Sequence, residues 1–314
     1  MPRPDTIRRT SPGARVLAGE RLTAAGQLGR ALLTSGPGVA WLLAFFFLPL
    51  VLLLGASFLS RGELGELELP FTTENYRRLV GFGVFGFDPL YPFIILRSLA
   101  LAAATAALCL LAGLPLAFFI AGLPLRARNL ALVLVMIPFW TNLLIRTYAW
   151  QILLAPEGWV TRVARLLGLV EPGVALYPGV GAVLVAMVCD YLPFLVLPLY
   201  ASVEKLDWTL AEAAADLGAN APAVFRHAVL PQIMPGLVAG LVLVFLPATG
   251  QFVIPDLLGG AKTTLLGNAV QQQFGPGLDW PFGSAVAGLG LATVLLGLWI
   301  HARFAGRAAA VEGV

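Results

Sequence analysis

The chain has 314 residues, of which 59% are hydrophobic and 12% charged, with a formal net charge of +3. Soluble domains carry about 25% charged residues, so this composition excludes an ordinary water-soluble domain and points to a bilayer as solvent. So much of the chain lies in apolar runs that no room remains for a large soluble domain, and an all-α, polytopic membrane protein is expected. Residues 1–38 begin as a polar, Arg-rich stretch, expected to be a cytoplasmic tail held near anionic lipid. Apolar runs follow at 39–59, 97–121, 129–154, 178–201, 233–256 and 283–303. Each approaches the roughly 20 residues that a spanning helix needs, so six transmembrane helices are predicted. The first run exceeds the roughly 7–15-residue core of a cleaved signal, and Arg8-Arg9 lies far ahead of it, so an uncleaved helix is expected there.

Between the first two runs, an extracytoplasmic loop reaching residue 96 sets Glu63, Glu66, Glu68, Glu74 and Asp88 against Arg61, Arg77 and Arg78. It fits a docking surface for a partner and an ordinary solvated loop about equally. Residues 155–177 are expected to hold a short surface helix around Val160–Leu169. The core of the protein is then 97–303, followed by a cytoplasmic tail over 304–314. Cys109 and Cys189 fall inside runs and read as small apolar core residues. His227 and His301 lie outside or at the end of runs. No cysteine or histidine spacing suggests a metal site, and neither a metal, a cofactor nor a catalytic centre is expected. The pI near 9.1 reflects arginines at the membrane surface rather than nucleic-acid binding.

Lysine and arginine bias orients the helices. With the N-terminus in the cytoplasm, the inner segments hold six arginines in 1–30 together with Arg126, Arg128, Lys205, Arg226, Arg303 and Arg307. The outer loops hold Arg61, Arg77, Arg78, Arg162, Arg165 and Lys262. The twofold excess places both termini, and the polar loop 202–232, on the cytoplasmic side.

That loop is the most informative segment. Residues 208–218 (WTLAEAAADLG) are good helix formers with a natural stop at Gly218. Ala213-Ala214 offer a smooth face, and Glu212 and Asp216 share one side. Pro222 suits the first turn of a second helix, which Leu230-Pro231 is expected to end. These residues fit an ordinary helical hairpin between two spans. The spacing of Glu212-Ala213-Ala214, Gly218 and Leu230-Pro231 also resembles the EAA loop of ABC importer permeases. The resemblance implies that this loop is a coupling helix seated in a groove of a separate ATPase subunit, with Glu212, Ala213, Ala214, Gly218, Leu230 and Pro231 as ATPase-coupling residues. Ala228 stands where that family often has isoleucine. No GxxxxGK[ST] phosphate loop occurs in the chain, so ATP would be bound and hydrolysed by a partner. The chain itself is expected to be a transporter subunit and not an enzyme.

The resemblance extends from about 40 to 302. Asp88-Pro89-Leu90-Tyr91, Pro138-Phe139-Trp140-Thr141-Asn142, Leu144-Ile145-Arg146, Leu197-Pro198-Leu199-Tyr200, Ile254-Pro255-Asp256-Leu257-Leu258-Gly259-Gly260 and Asp279-Trp280-Pro281 are similar to the spermidine/putrescine permease subfamily, of the first-encoded kind. This implies an ABC type I importer permease (MetI-like) fold in the bacterial inner membrane. The implied partners are ABC ATPase subunits, a second homologous permease subunit and an extracytoplasmic solute-binding protein. The implied function is alternating-access import of polyamines. Alternatives are import of another small solute, such as an amino-alkyl phosphonate, an oxyanion or a metal ion, and a passive channel.

A polyamine needs carboxylates to offset its charge and aromatic faces for cation–π contact. Ionisable residues within spans are costly and are therefore functional candidates. Asp190 and Tyr191 in the fourth run, Trp140, Tyr148 and Trp150 in the third, and Gln251 and Asp256 in the fifth form the candidate substrate pathway. For Asp190 a structural hydrogen-bonding role is equally open, and each aromatic taken singly fits core packing. At 1.5 Å per residue, a straight third span carries Arg146 about 26 Å above the inner face, against about 12 Å for Asp190. Arg146 is therefore expected to form a structural ion pair with Asp256, leaving Asp190 free. Gly236 and Gly240 form a small-xxx-small pattern suited to close helix contact.

Overall fold

The structure, a computed structural model, describes residues 35–311 apart from 63–64, 84–85, 172–173 and 261–262, with side chains described as far as Trp299. The expected tail over 1–30, with Glu63, Lys262 and the side chains of His301, Arg303 and Arg307, lies outside the described residues. The chain divides into two compact units, one ending at Gly55 and the other beginning at Ala56.

The described residues of the first unit lie in one helix, α1 (Ser35–Ala56), with a π turn at Leu43–Phe47. None of its described side chains is buried, and Trp41, Leu42, Phe45 and Phe46 are all exposed. A helix apolar all round suits lipid rather than water.

The second unit begins with two small antiparallel hairpins around a short helix. Strand β1 (Ser60–Arg61) pairs with β2 (Leu67–Glu68), and β3 (Phe82–Gly83) with β4 (Gly86–Phe87). Between them lies α2 (Glu74–Val80), which ends on Gly81 at φ 104°. The long helices follow. They are α3 (Leu90–Gly122), α4 (Leu125–Trp140) with α5 (Leu143–Leu154), α7 (Val180–Val203), α9 (Ala221–Gly250) and α12 (Trp280–Val311). Shorter helices connect them: α6 (Trp159–Leu166), α8 (Trp208–Asp216), α10 (Val253–Leu258) and α11 (Leu266–Phe274). Helix α6 answers to the surface helix expected near Val160–Leu169. Among the described residues five helices are long and apolar enough to cross a membrane, and the bent pair α4–α5 makes a sixth if taken as one span.

Two expectations are corrected. The run 129–154 is not one straight helix, because α4 and α5 meet at 92°. Thr141 and Asn142 are both extended there, and the Asn142 carboxamide accepts from the Leu144 amide at 2.8 Å, starting a new helix. The run 233–256 ends at Gly250, where Gln251 is extended, so Asp256 lies on the separate helix α10.

Helix α7 is the most buried of the spans. It lies between α3 and α9, and apolar side chains around it form two clusters. One gathers Leu101, Leu154, Met187, Leu195, Val244, Ile254 and Leu258. The other, toward the loop after α7, gathers Ile120, Leu199, Val203, Leu206, Ala211 and Ile233. A third joins α2, α3, α11 and α12 through Leu79, Ile94, Leu266 and Phe282. Glycine makes the closest approach possible. A Cβ on Gly236 would sit 2.2 Å from the Ser202 hydroxyl and 2.4 Å from the Pro198 carbonyl, and one on Gly240 would sit 3.1 Å from Leu195. The small-xxx-small pattern is thus the face on which α9 meets α7. Cys109 and Cys189 are free thiols, and Cys109 is fully buried in the first cluster.

Candidate functional site

The loop after α7 folds as the residue types dictate. Asp207 caps α8, accepting from the Thr209 amide at 3.0 Å and the Thr209 hydroxyl at 2.7 Å. Helix α8 ends by placing Gly218 at φ +86°, the left-handed conformation that glycine adopts without a Cβ penalty. Asn220 then caps α9 through the Ala223 amide at 3.0 Å, with Pro222 in the first turn. Ala211 is buried in the second cluster, while Glu212 and Ala213 on the other side are exposed. Helix α8 therefore presents an outward face that carries part of the Glu-Ala-Ala sequence.

Leu230-Pro231 does not end a helix, contrary to expectation. Helix α9 runs unbroken through it, because the preceding turn, Phe225–Val229, is a π turn in which the Leu230 amide reaches back to the Phe225 carbonyl. That widening accommodates a proline whose ring would otherwise press on the carbonyl four residues earlier. The second half of the loop and the span thus form one helix of 30 residues, α9.

The Thr209 hydroxyl and amide hold the Asp207 carboxyl below its ordinary range. A depressed carboxylate cap is complete at neutral pH and is lost as pH falls through that lowered value. Asp207→Ala is expected to speed amide hydrogen exchange in α8 at neutral pH, and the difference from the unsubstituted protein is expected to vanish in acid. Equal exchange rates at neutral pH would contradict the capping role.

Deeper in the bundle, a buried polar network forms around Asp190. Arg146 Nε sits against Asp190 Oδ1, with the two side chains 14% and 8% exposed. The same guanidinium donates through Nη1 to the Pro138 carbonyl at the end of α4, which also accepts from the Thr141 hydroxyl at 2.7 Å. The expected pair of Arg146 with Asp256 is therefore not formed, and Asp190 is not free. The 92° break removes the basis of the depth estimate, since Arg146 lies just past the bend rather than far up a straight helix. Beside Asp190, the Tyr191 hydroxyl accepts from Gln251 Nε2 at 3.1 Å, and Gln251 Oε1 accepts the Phe252 and Val253 amides at 3.0 and 3.2 Å. Gln251 thus links α7 to the break between α9 and α10.

The remaining candidates are dispersed. Trp140 and Tyr148 are 70% and 51% exposed, so they form no enclosed site with the buried Asp190. Trp150 packs against the first apolar cluster. Asp256 is exposed and lines a polar cleft of about 420 Å³ with Thr263, Thr264, Asn268, Gln271 and Gln272.

A second buried carboxylate escaped sequence reasoning. Asp279 accepts from Arg78 at 3.0 Å, lies 3.8 Å from Arg61, and caps α12 through the Phe282 amide at 3.2 Å. Arg78 also lies 4.2 Å from the Phe282 ring centroid. The signal was Asp279 placed two residues before Pro281, an N-cap pattern at a helix start.

Comparison with known proteins decides what this arrangement is. Residues 111–308 match the model of the binding-protein-dependent transport system inner membrane component family. The spermidine/putrescine transport system permease protein PotB of Escherichia coli (strain K12) is 42% identical over 262 residues, 83% of this chain and 92% of PotB. The chain belongs to the binding-protein-dependent transport permease family. It is a permease subunit of an ABC importer, a multi-pass inner membrane protein and not an enzyme. The fold is the same as that of known permeases. A bacterial alginate ABC transporter in complex with alginate pentasaccharide-bound periplasmic protein aligns with a TM-score of 0.62, at 17% identity, over 90% of this chain and 96% of its own. The MetNI methionine ABC transporter aligns at 0.51, at 18% identity, over 68% of this chain and 94% of its own. The permease family accounts for the absence of a phosphate loop, since ATP hydrolysis is carried out by a separate subunit.

Proposed function

We propose that this permease imports polyamines, with both termini and the loop 202–232 in the cytoplasm. Its partners would be ATPase subunits that grip α8, a second homologous permease subunit and an extracytoplasmic binding protein. The observation that carries this reading is the construction of the loop. An exposed helix bearing Glu212-Ala213-Ala214 is capped at both ends and joined by one turn to a single 30-residue helix, about 45 Å long at 1.5 Å per residue. Force applied at α8 thereby reaches the far end of α9, where α10 and Asp256 stand.

The substrate class is supported by the spermidine/putrescine relative and by the cleft around Asp256. Among the described residues that line it there is one carboxylate, several amide and hydroxyl groups, and no basic side chain. Such a lining suits an ammonium group. Because Arg146 already neutralises Asp190, Asp256 is the better candidate for contact with a cation. Asp190, Tyr191 and Gln251 then serve to hold the helix breaks beside the pathway.

Gly218→Val tests the coupling role, since a β-branched residue is strained at φ +86°. The wild-type permease is expected to retain its ATPase subunit through purification, and the variant to lose most of it at unchanged helical content. Full retention by the variant would remove the loop from the ATPase contact.

A further inference from the structure

The connection into α8 has no slack. The amides of Glu204, Lys205 and Leu206 close onto the carbonyls of Tyr200, Ser202 and Val203 at 2.8, 3.3 and 3.2 Å, and Asp207, the N-cap of α8, follows at once. Whatever holds Glu204 and Asp207 therefore holds the coupling helix. Two side chains from other elements do so, from two directions. Arg128, in the first turn of α4, donates Nη1 to Glu204 Oε1 at 2.9 Å and Nη2 to the Ala121 carbonyl at 2.8 Å. It joins the base of α8 to the corner between α3 and α4. Gln232, on α9, accepts the Asp207 amide through Oε1 at 3.0 Å and donates Nε2 to the Ala228 carbonyl at 2.8 Å. It joins the same base to the π turn of α9.

Stability does not explain the Arg128 anchor. The Arg128–Glu204 pair is 23% and 45% exposed, a setting in which ion pairs contribute little. The buried surface of Ala211, Leu206 and Val203 already holds α8 down. Apolar contact is non-directional, however, and leaves a short helix able to rock. A cleft of about 430 Å³, lined by Phe118, Gly122, Arg128, Glu204 and Trp208, lies beside the Arg128 anchor and offers room for that motion. Directional hydrogen bonds on two sides remove this freedom.

We propose that Arg128 and Gln232 are positioning residues for energy coupling, the two anchors through which displacement of α8 is delivered to the α3–α4 corner and to α9. The proposal rests on the reading of α8 as the ATPase-coupling helix. It is tested in proteoliposomes holding the full complex with its binding protein, with spermidine as the probe, by measuring uptake and ATP hydrolysis together for Arg128→Gln, Gln232→Ala and the double variant. Each variant is expected to keep its ATPase subunits while uptake per ATP hydrolysed falls roughly fivefold or more. Glu204→Gln is expected to add nothing to Arg128→Gln, and Arg128→Lys, which keeps the charge but not the fork, to recover part of the loss. A wild-type ratio of uptake to hydrolysis in all variants would overturn the proposal. Loss of the ATPase from the variants would also overturn it, by making these residues part of the docking surface. A wild-type complex that binds no ATPase would overturn the coupling reading instead.

Discussion

Arg146→Gln is expected to destabilise the purified permease by about 3–5 kcal/mol, the usual cost of stranding one member of a buried ion pair. Both side chains are nearly inaccessible, so water cannot take over the role of the missing partner. The substitution also removes one donor from the Pro138 carbonyl at the 92° break, leaving it to Thr141 alone. Asp190→Asn alone leaves the guanidinium without its counter-charge and is expected to cost a similar amount. The double variant Arg146→Gln with Asp190→Asn removes both charges, and most of the lost stability should return. Thermal melting of the four proteins in detergent measures this cycle. Additive losses in the double variant would show that the two residues do not act as a pair.

The second large effect is expected at the contact between α7 and α9. Gly236→Leu places a side chain where even a Cβ would lie 2.2 Å from the Ser202 hydroxyl and 2.4 Å from a backbone carbonyl. The carbonyl cannot rotate away, so the helices must separate, at a cost of at least about 1–3 kcal/mol. Since small residues are what allow close helix approach in lipid, repacking offers little relief. Gly181 is the matched control, a helical glycine whose added Cβ would meet nothing within 4 Å. Gly181→Ala should be neutral or slightly stabilising, by about 0.5–1 kcal/mol. A Gly236→Leu protein that melts with the wild type would contradict the close approach of α7 and α9.

Local signals in the sequence proved reliable where the backbone alone decides the outcome. Gly218 ends α8 in the left-handed conformation, and Pro222 sits in the first turn of α9. The Gly236 and Gly240 pair marked a close helix contact for the same reason, since an added Cβ would meet α7 at 2.2 and 3.1 Å. Hydropathy located the spans but could not see inside them. Thr141-Asn142 is too short a polar interruption to divide an apolar run on a hydropathy scale, yet one capping side chain suffices to start a new helix at a sharp angle. The misplaced partner of Arg146 follows directly from that break. Pro231 misled in the opposite sense, because a π turn absorbs a proline that sequence rules treat as a stop. Asp279, Arg78 and Gln232 act across long sequence separations, and nothing in their immediate neighbours identifies the partner each one finds. The local fold of the loop between α7 and α9 was legible because caps and glycine turns rest on local chemistry. Which of the pathway candidates lie together was not legible, since that depends on which helix faces converge.

As proposed, this chain converts ATP hydrolysis by a partner into polyamine import. The most direct measurement is ATP hydrolysis by the reconstituted complex with its binding protein, against spermidine, putrescine, an amino-alkyl phosphonate, an oxyanion and a divalent metal ion. Stimulation by spermidine or putrescine, with none by the others, is the expected result. Stimulation only by one of the other solutes would contradict the polyamine assignment, and solute movement by a complex with no ATPase at all would contradict the coupled permease itself.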